Sequence, residues 1–154
     1  MKGIGMANFF RSNCPVTSAV DLLGDRWVLV IVKQMLLEQK SSFKDFTDCD
    51  EAIASNILTS KLNQLIEWGL VSKAMLASNK RSVYYHLTDQ GLSLAPIIIE
   101  LALWGDANLR TDNPAMRKSK ELKAMKANKE QFVAGLIGAY KKQLLAFDKL
   151  SIRI

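Results

Sequence analysis

Cysteine, histidine and proline are scarce in this 154-residue chain, which has two, one and three of them. Two cysteines, Cys14 and Cys49, cannot build a disulfide framework or a four-cysteine zinc site. Their number fits a reducing, cytoplasmic compartment. The single histidine, His86, has no carboxylate pair, glycine-rich phosphate loop or metal-ligand spacing around it. It falls on the outward phase of an expected strand, where a surface position is the ordinary reading. No enzyme, cofactor or metal site is therefore expected. Long apolar runs are missing too. The greasiest stretch, 92–104, contains Pro96 and Glu100 and is too short to cross a bilayer, so no membrane partner is expected. Residues 1–13 lack the sustained apolar core and cleavage site of a secretory signal.

What is present is the composition of a folded protein, 49% apolar and 23% charged. The length suits one well-cored domain with an appendage. The net charge of +6 is unevenly placed. Up to Arg110, eleven basic residues balance eleven acidic ones; from Thr111 onward ten basic residues face four acidic. The front of the chain is neutral, so any case for nucleic-acid binding there must rest on pattern.

Pro15 at a first turn, then Val16, Ala19, Val20, Leu22 and Leu23, predict a short amphipathic helix closed by Gly24. Asp25 can cap a second helix over 26–37, apolar on nearly every side and so central. Ser41 and Ser42 offer a cap for a short third helix with Phe43 and Phe46 inward, and 48–54 reads as a turn. The next helix, 55–68, has one stripe of Leu58, Leu62, Leu65 and Ile66, and ends at Gly69. A β-like stretch to Ala77 alternates too poorly to define a register. The residues Ser78, Asn79, Lys80 and Arg81 read as a turn into a second strand over 82–87. Thr88 caps one further helix, with Asp89 in its first turn, expected to run on through Leu94, Ile97, Ile98, Leu101 and Trp104.

Two short helices joined by a tight turn, the second with an apolar stripe and a small-polar face, match a DNA-reading helix-turn-helix. Such a helix must bury one side to be rigid, while the other offers short groups that reach base edges. Ser55, Asn56, Thr59, Ser60 and Asn63 are the candidates for that face. Lys44, and Lys80 and Arg81 at the hairpin tip, are candidates for backbone contacts. The bland readings are a bundle helix with an ordinary solvated face and a solvated turn.

Beyond periodicity, residues 14–109 resemble the HxlR-type winged helix-turn-helix regulators, relatives of the MarR-like group. The likeness is carried in order by Cys14-Pro15-Val16 with Leu23-Gly24-Asp25-Arg26-Trp27, by Phe43-Lys44-Asp45-Phe46, and by Ile53-Ala54-Ser55-Asn56-Ile57-Leu58-Thr59. It continues through Gly69-Leu70-Val71, Tyr85-His86-Leu87-Thr88-Asp89-Gln90-Gly91, and 96–105. The resemblance implies a mainly α fold with a small β-hairpin wing, and a homodimer joined through N- and C-terminal helices of the winged domain. It implies a regulator, here read as a repressor, with double-stranded DNA as its partner. For Cys14, a redox-sensing role of the kind seen in relatives stands beside that of a small buried anchor. The rival function is a winged-helix protein-interaction module.

The expected organisation is an N-terminal arm, 1–13; a winged helix-turn-helix domain, 14–109; and a basic C-terminal helical extension, 110–154. In that tail Arg117, Lys118, Lys120, Lys123, Lys126 and Lys129 form a basic run, read either as a phosphate-binding face or as a solvated one. Beyond it Phe132, Val133, Leu136, Ile137, Tyr140, Leu144 and Phe147 recur at helical spacing. This stripe needs cover from the winged domain or another subunit.

Overall fold

A computed structural model describes residues 9–154; of the N-terminal arm, residues 1–8 lie outside the described part. Helix α1 (Pro15–Leu23) starts on its proline, and α2 (Arg26–Glu38) is capped by Asp25, which accepts from the N–H groups of Trp27 (2.8 Å) and Val28 (3.3 Å). Val28, Ile31, Val32, Met35 and Leu36 make α2 the centre of the core. Helix α3 (Phe43–Thr47) opens on a capping box: Asp45 N–H donates to Ser42 Oγ (3.2 Å) and Ser42 N–H to Asp45 Oδ2 (2.8 Å). Helix α4 (Ser55–Glu67) buries Leu58, Leu62 and Leu65, and Gly69 leaves it at φ +72°, a left-handed conformation suited to glycine.

Strands β1 (Val71–Leu76) and β2 (Asn79–Leu87) form the antiparallel hairpin, in register from Val71↔Leu87 to Met75↔Val83. The expected turn is corrected here: Ala77 and Ser78 make it, and β2 begins at Asn79. The register then slips between Met75 and Leu76, because Leu76 pairs with Asn79 and leaves 80–82 as extra residues on one strand. The Asn79 side chain holds this excursion, accepting from Arg81 N–H (3.1 Å) and donating to Ser82 Oγ (3.1 Å). On its other edge β2 meets the chain before α3 through a Ser42↔Tyr84 bridge.

The helix expected after Thr88 is two helices, α5 (Asp89–Leu92) and α6 (Ala95–Asn108). Pro96 has no N–H for the carbonyl four residues back, and its ring crowds that carbonyl, so the chain turns between them. Gly91 sits where a Cβ would come within 2.1 Å of the Leu70 carbonyl oxygen, so the exit of α4 and the start of α5 approach more closely than a side chain permits.

The tail folds back on this chain's own winged domain. Helix α7 (Lys120–Ala127) leads to α8 (Lys129–Asp148), whose Tyr140 enters the core while Val133, Leu136 and Ile137 pack against it. The sheet also gains a strand that periodicity did not suggest. Strand β3 (Ser151–Arg153) pairs antiparallel with β1, giving the order β2-β1-β3.

Candidate nucleic-acid interface

Ser42 starts α3, the turn 48–54 follows, and α4 leaves it with its leucines inward and Ser55, Asn56, Thr59, Ser60 and Asn63 all exposed. Among the described residues, the side chains of Asn56, Ser60 and Asn63 make no hydrogen bond, so their groups face outward uncommitted. Thr59 is partly used: its hydroxyl donates to the Ser55 carbonyl at 2.9 Å. Ala54, the residue before the helix, has no side-chain acceptor for the first amides of α4. Lys61, on the same helix, turns back to Asp25 at 2.8 Å and anchors α4 to the start of α2. Lys44, Lys80 and Arg81 are exposed, the last two on the excursion at the tip of the hairpin.

Of the three carboxylates on this turn, Asp48, Asp50 and Glu51, the last two are paired, which the sequence did not disclose. Burial raises the Glu51 carboxyl, but the Lys33 ammonium and the Gln34 amide outweigh it and hold its pKa down to about 2. Asp50 is paired by Arg117 of the tail. Cys49, on the same turn, is half-buried; its thiol donates to the Phe46 carbonyl (2.8 Å) and accepts from Gln34 Nε2 (2.9 Å).

Cys14 is exposed at the residue before α1, so it does not act as a small buried anchor. Its thiol pKa is lowered by the backbone N–H of Thr17, then by the Thr17 hydroxyl and the Val16 N–H. His86 is not the surface residue expected. The Phe147 ring of α8 covers it with centroids 4.4 Å apart, and its Nε2 is buried with no hydrogen-bond partner among the described residues. Only the packing of α8 on β2 reveals this.

Exposed apolar residues lie on two other helices. Val16 and Val20 on α1, and Ile97, Leu101 and Trp104 on α6, are exposed; Val16 is 71% and Trp104 60% accessible. On α6 these residues recur at i, i+4 and i+7, which is one face.

A family model described as HxlR-like helix-turn-helix matches residues 22–113. The HTH-type transcriptional regulator YybR of Bacillus subtilis is 29% identical over 98 residues, covering 64% of this chain and 78% of that one. YodB of the same organism is 31% identical over 94 residues, covering 60% and 83%. Among solved structures, the reduced form of the redox regulator HypR superposes with a TM-score of 0.55 at 27% identity, over 62% of this chain and 93% of that one. Reduced YodB gives 0.51 at 28% identity, over 63% and 95%. The described helices α3 and α4 with their hairpin lie inside the matched segment, and the chain belongs to the HxlR-like helix-turn-helix family, whose members are transcriptional regulators and not enzymes.

Proposed function

We propose that this protein is a homodimeric repressor that binds a two-fold related DNA site in the cytoplasm and responds to oxidants or electrophiles through Cys14. The observation that carries the DNA reading is the outer face of α4, where Asn56, Ser60 and Asn63 are exposed with no partner inside the described chain. Side-chain amides and hydroxyls at the N-terminal half of a recognition helix read base edges in the major groove. Lys44, Lys80 and Arg81 supply phosphate contacts that fix register without reading sequence. The apolar faces of α1 and α6 support dimerisation, since exposed apolar patches of this kind mark interaction sites. No helix among the described residues is long and apolar enough to cross a membrane.

A gel shift on the DNA upstream of the protein's own gene, repeated across salt concentrations, tests this function. Asn56→Ala and Asn63→Ala should each relax sequence preference and cost about 1–3 kcal/mol. Arg81→Ala should weaken binding to all sequences alike and make the salt dependence shallower. Wild-type protein that fails to bind this DNA even at low salt would favour the protein-interaction module.

A further inference from the structure

The tail brings a second basic surface to the helix-turn-helix. Arg117 reaches from the loop after α6 to Asp50 on the turn between α3 and α4, across 67 residues of sequence. Both side chains stay accessible, 84% for Arg117 and 81% for Asp50, so this pair lies on the surface and is not a buried strut. Arg110 and Lys126 both pair with Asp106 of α6, and the Lys126 pair ties α7 back to that helix. The loop is pinned further by Arg110, which donates to the carbonyls of Met116 (2.9 Å) and Arg117 (3.3 Å).

The stretch 117–123 contains four cations, Arg117, Lys118, Lys120 and Lys123, against a single acid, Glu121. Inward-facing Leu122 and the Met125 that follows are half-buried and buried. Lys118, Lys120 and Lys123 carry no ion pair to a carboxylate among the described residues, and Lys118 and Lys120 stand exposed with Lys123. Other tail cations are already committed: Lys129 pairs with Glu100, and Lys141 with Asp89 at 3.0 Å. The tail thus divides its charge. One part neutralises carboxylates of the winged domain, and another is left facing solvent beside the turn that leads into α4.

We propose that residues 117–123 form a second DNA-contacting edge, in which Lys118, Lys120 and Lys123 meet phosphates flanking the groove entered by α4, while Arg117 neutralises Asp50 so that phosphate can approach the turn. The inference rests on the DNA reading above. A recognition helix enters the groove by its N-terminus, so the turn feeding that end lies at the groove's edge, where the sugar-phosphate chain runs. An uncompensated carboxylate there repels phosphate. A cation on it removes the repulsion, and neighbouring free lysines add counterion release. The front domain is neutral, and this edge supplies positive charge that it lacks.

The test uses the full chain and a mixed-sequence duplex of roughly 40 base pairs, because phosphate contacts are sequence-independent. Binding is followed by fluorescence anisotropy across a salt series. The triple variant Lys118→Gln/Lys120→Gln/Lys123→Gln should make the slope of log K against log salt shallower by about 2 or more, at about 0.9 for each phosphate no longer neutralised. Arg117→Gln should weaken binding at least about threefold at fixed salt, through the exposed Asp50 charge. Adding Asp50→Asn to Arg117→Gln should restore most of that affinity, whereas an arginine that merely anchors the loop would give no recovery. Wild-type affinity with an unchanged slope in the triple variant, or no recovery in the double variant, overturns the second edge. Failure of the wild type to bind any duplex at about 50 mM salt overturns the DNA reading and this edge with it, while salt-dependent wild-type binding that is indifferent to the lysines removes the edge alone.

Discussion

Tyr140 on α8 accepts a hydrogen bond through its phenolic oxygen from the backbone N–H of Leu87, at 2.9 Å and out of reach of solvent. The two residues are 53 positions apart, one in the basic tail and one at the last position of the wing's second strand. Burial pushes the Tyr140 phenol up to about 12, only slightly offset by the Leu87 N–H. The bond joins the tail to the element that carries Lys80 and Arg81.

Tyr140→Phe should therefore destabilise the fold by about 1–3 kcal/mol, because the Leu87 N–H stays buried without its side-chain partner. Urea unfolding followed by circular dichroism measures it. An unchanged midpoint would mean that α8 is not seated on β2 as described.

His86 makes tail docking pH-dependent. Burial holds its pKa below the ordinary value, only partly opposed by the nearby Asp148 carboxylate. The imidazole lines a cavity of about 200 Å³ with Lys40, Tyr140 and Phe147, where a second positive charge is unwelcome. The unfolded chain takes up its proton first as the pH falls. The stability contributed by neutral His86 is thus complete above the unfolded value of about 6.5 and is lost as the pH drops below it. Thermal unfolding should show a larger fall between about pH 7.5 and about pH 5.5 in wild type than in His86→Gln. Equal falls would place the sensitivity elsewhere.

Trp104 projects from α6 on the same face as Ile97 and Leu101, and an aromatic anchor of this kind carries much of the binding energy of an interface. Under the proposed dimer, Trp104→Glu should cost about 2 kcal/mol or more, about thirtyfold in the dimer dissociation constant. Sedimentation equilibrium reads this directly. A wild type that is monomeric at micromolar concentration, or a variant as dimeric as wild type, would remove α6 from the interface.

Cys14 is accessible and its thiol is acidified by the Thr17 and Val16 groups at the start of α1. More thiolate at neutral pH means faster reaction with electrophiles. Diamide should lower DNA affinity in wild type and leave Cys14→Ser unaffected. A response of equal size in both proteins assigns the chemistry to Cys49 or another group, and no response in either ends the sensing proposal.

The elements dictated by neighbours in sequence were legible from residues alone. Asp25, Ser42 and Thr88 cap the helices they precede, because a side-chain oxygen two or three residues before an amide reaches it in any context. The leucine stripe of α4 faces inward because a 3.6-residue period puts those side chains on one side, and the opposite residues are exposed for the same reason. Pro96 also acts locally, and its break between α5 and α6 was available from the chain in principle.

Tertiary structure decided what depends on distant partners. Strand β3 is three residues long and shows no period of its own, since its order comes from hydrogen bonds to β1, which lies over 70 positions earlier in the chain. His86 alternates outward along its strand, yet Phe147 covers that outward face. Asp50 reads as one more charge in an acidic turn until Arg117 meets it. Composition records the charges and apolar groups that a chain carries. Which of them end up opposite one another is set by how its helices pack, and that arrangement determines which cations remain free to meet a phosphate.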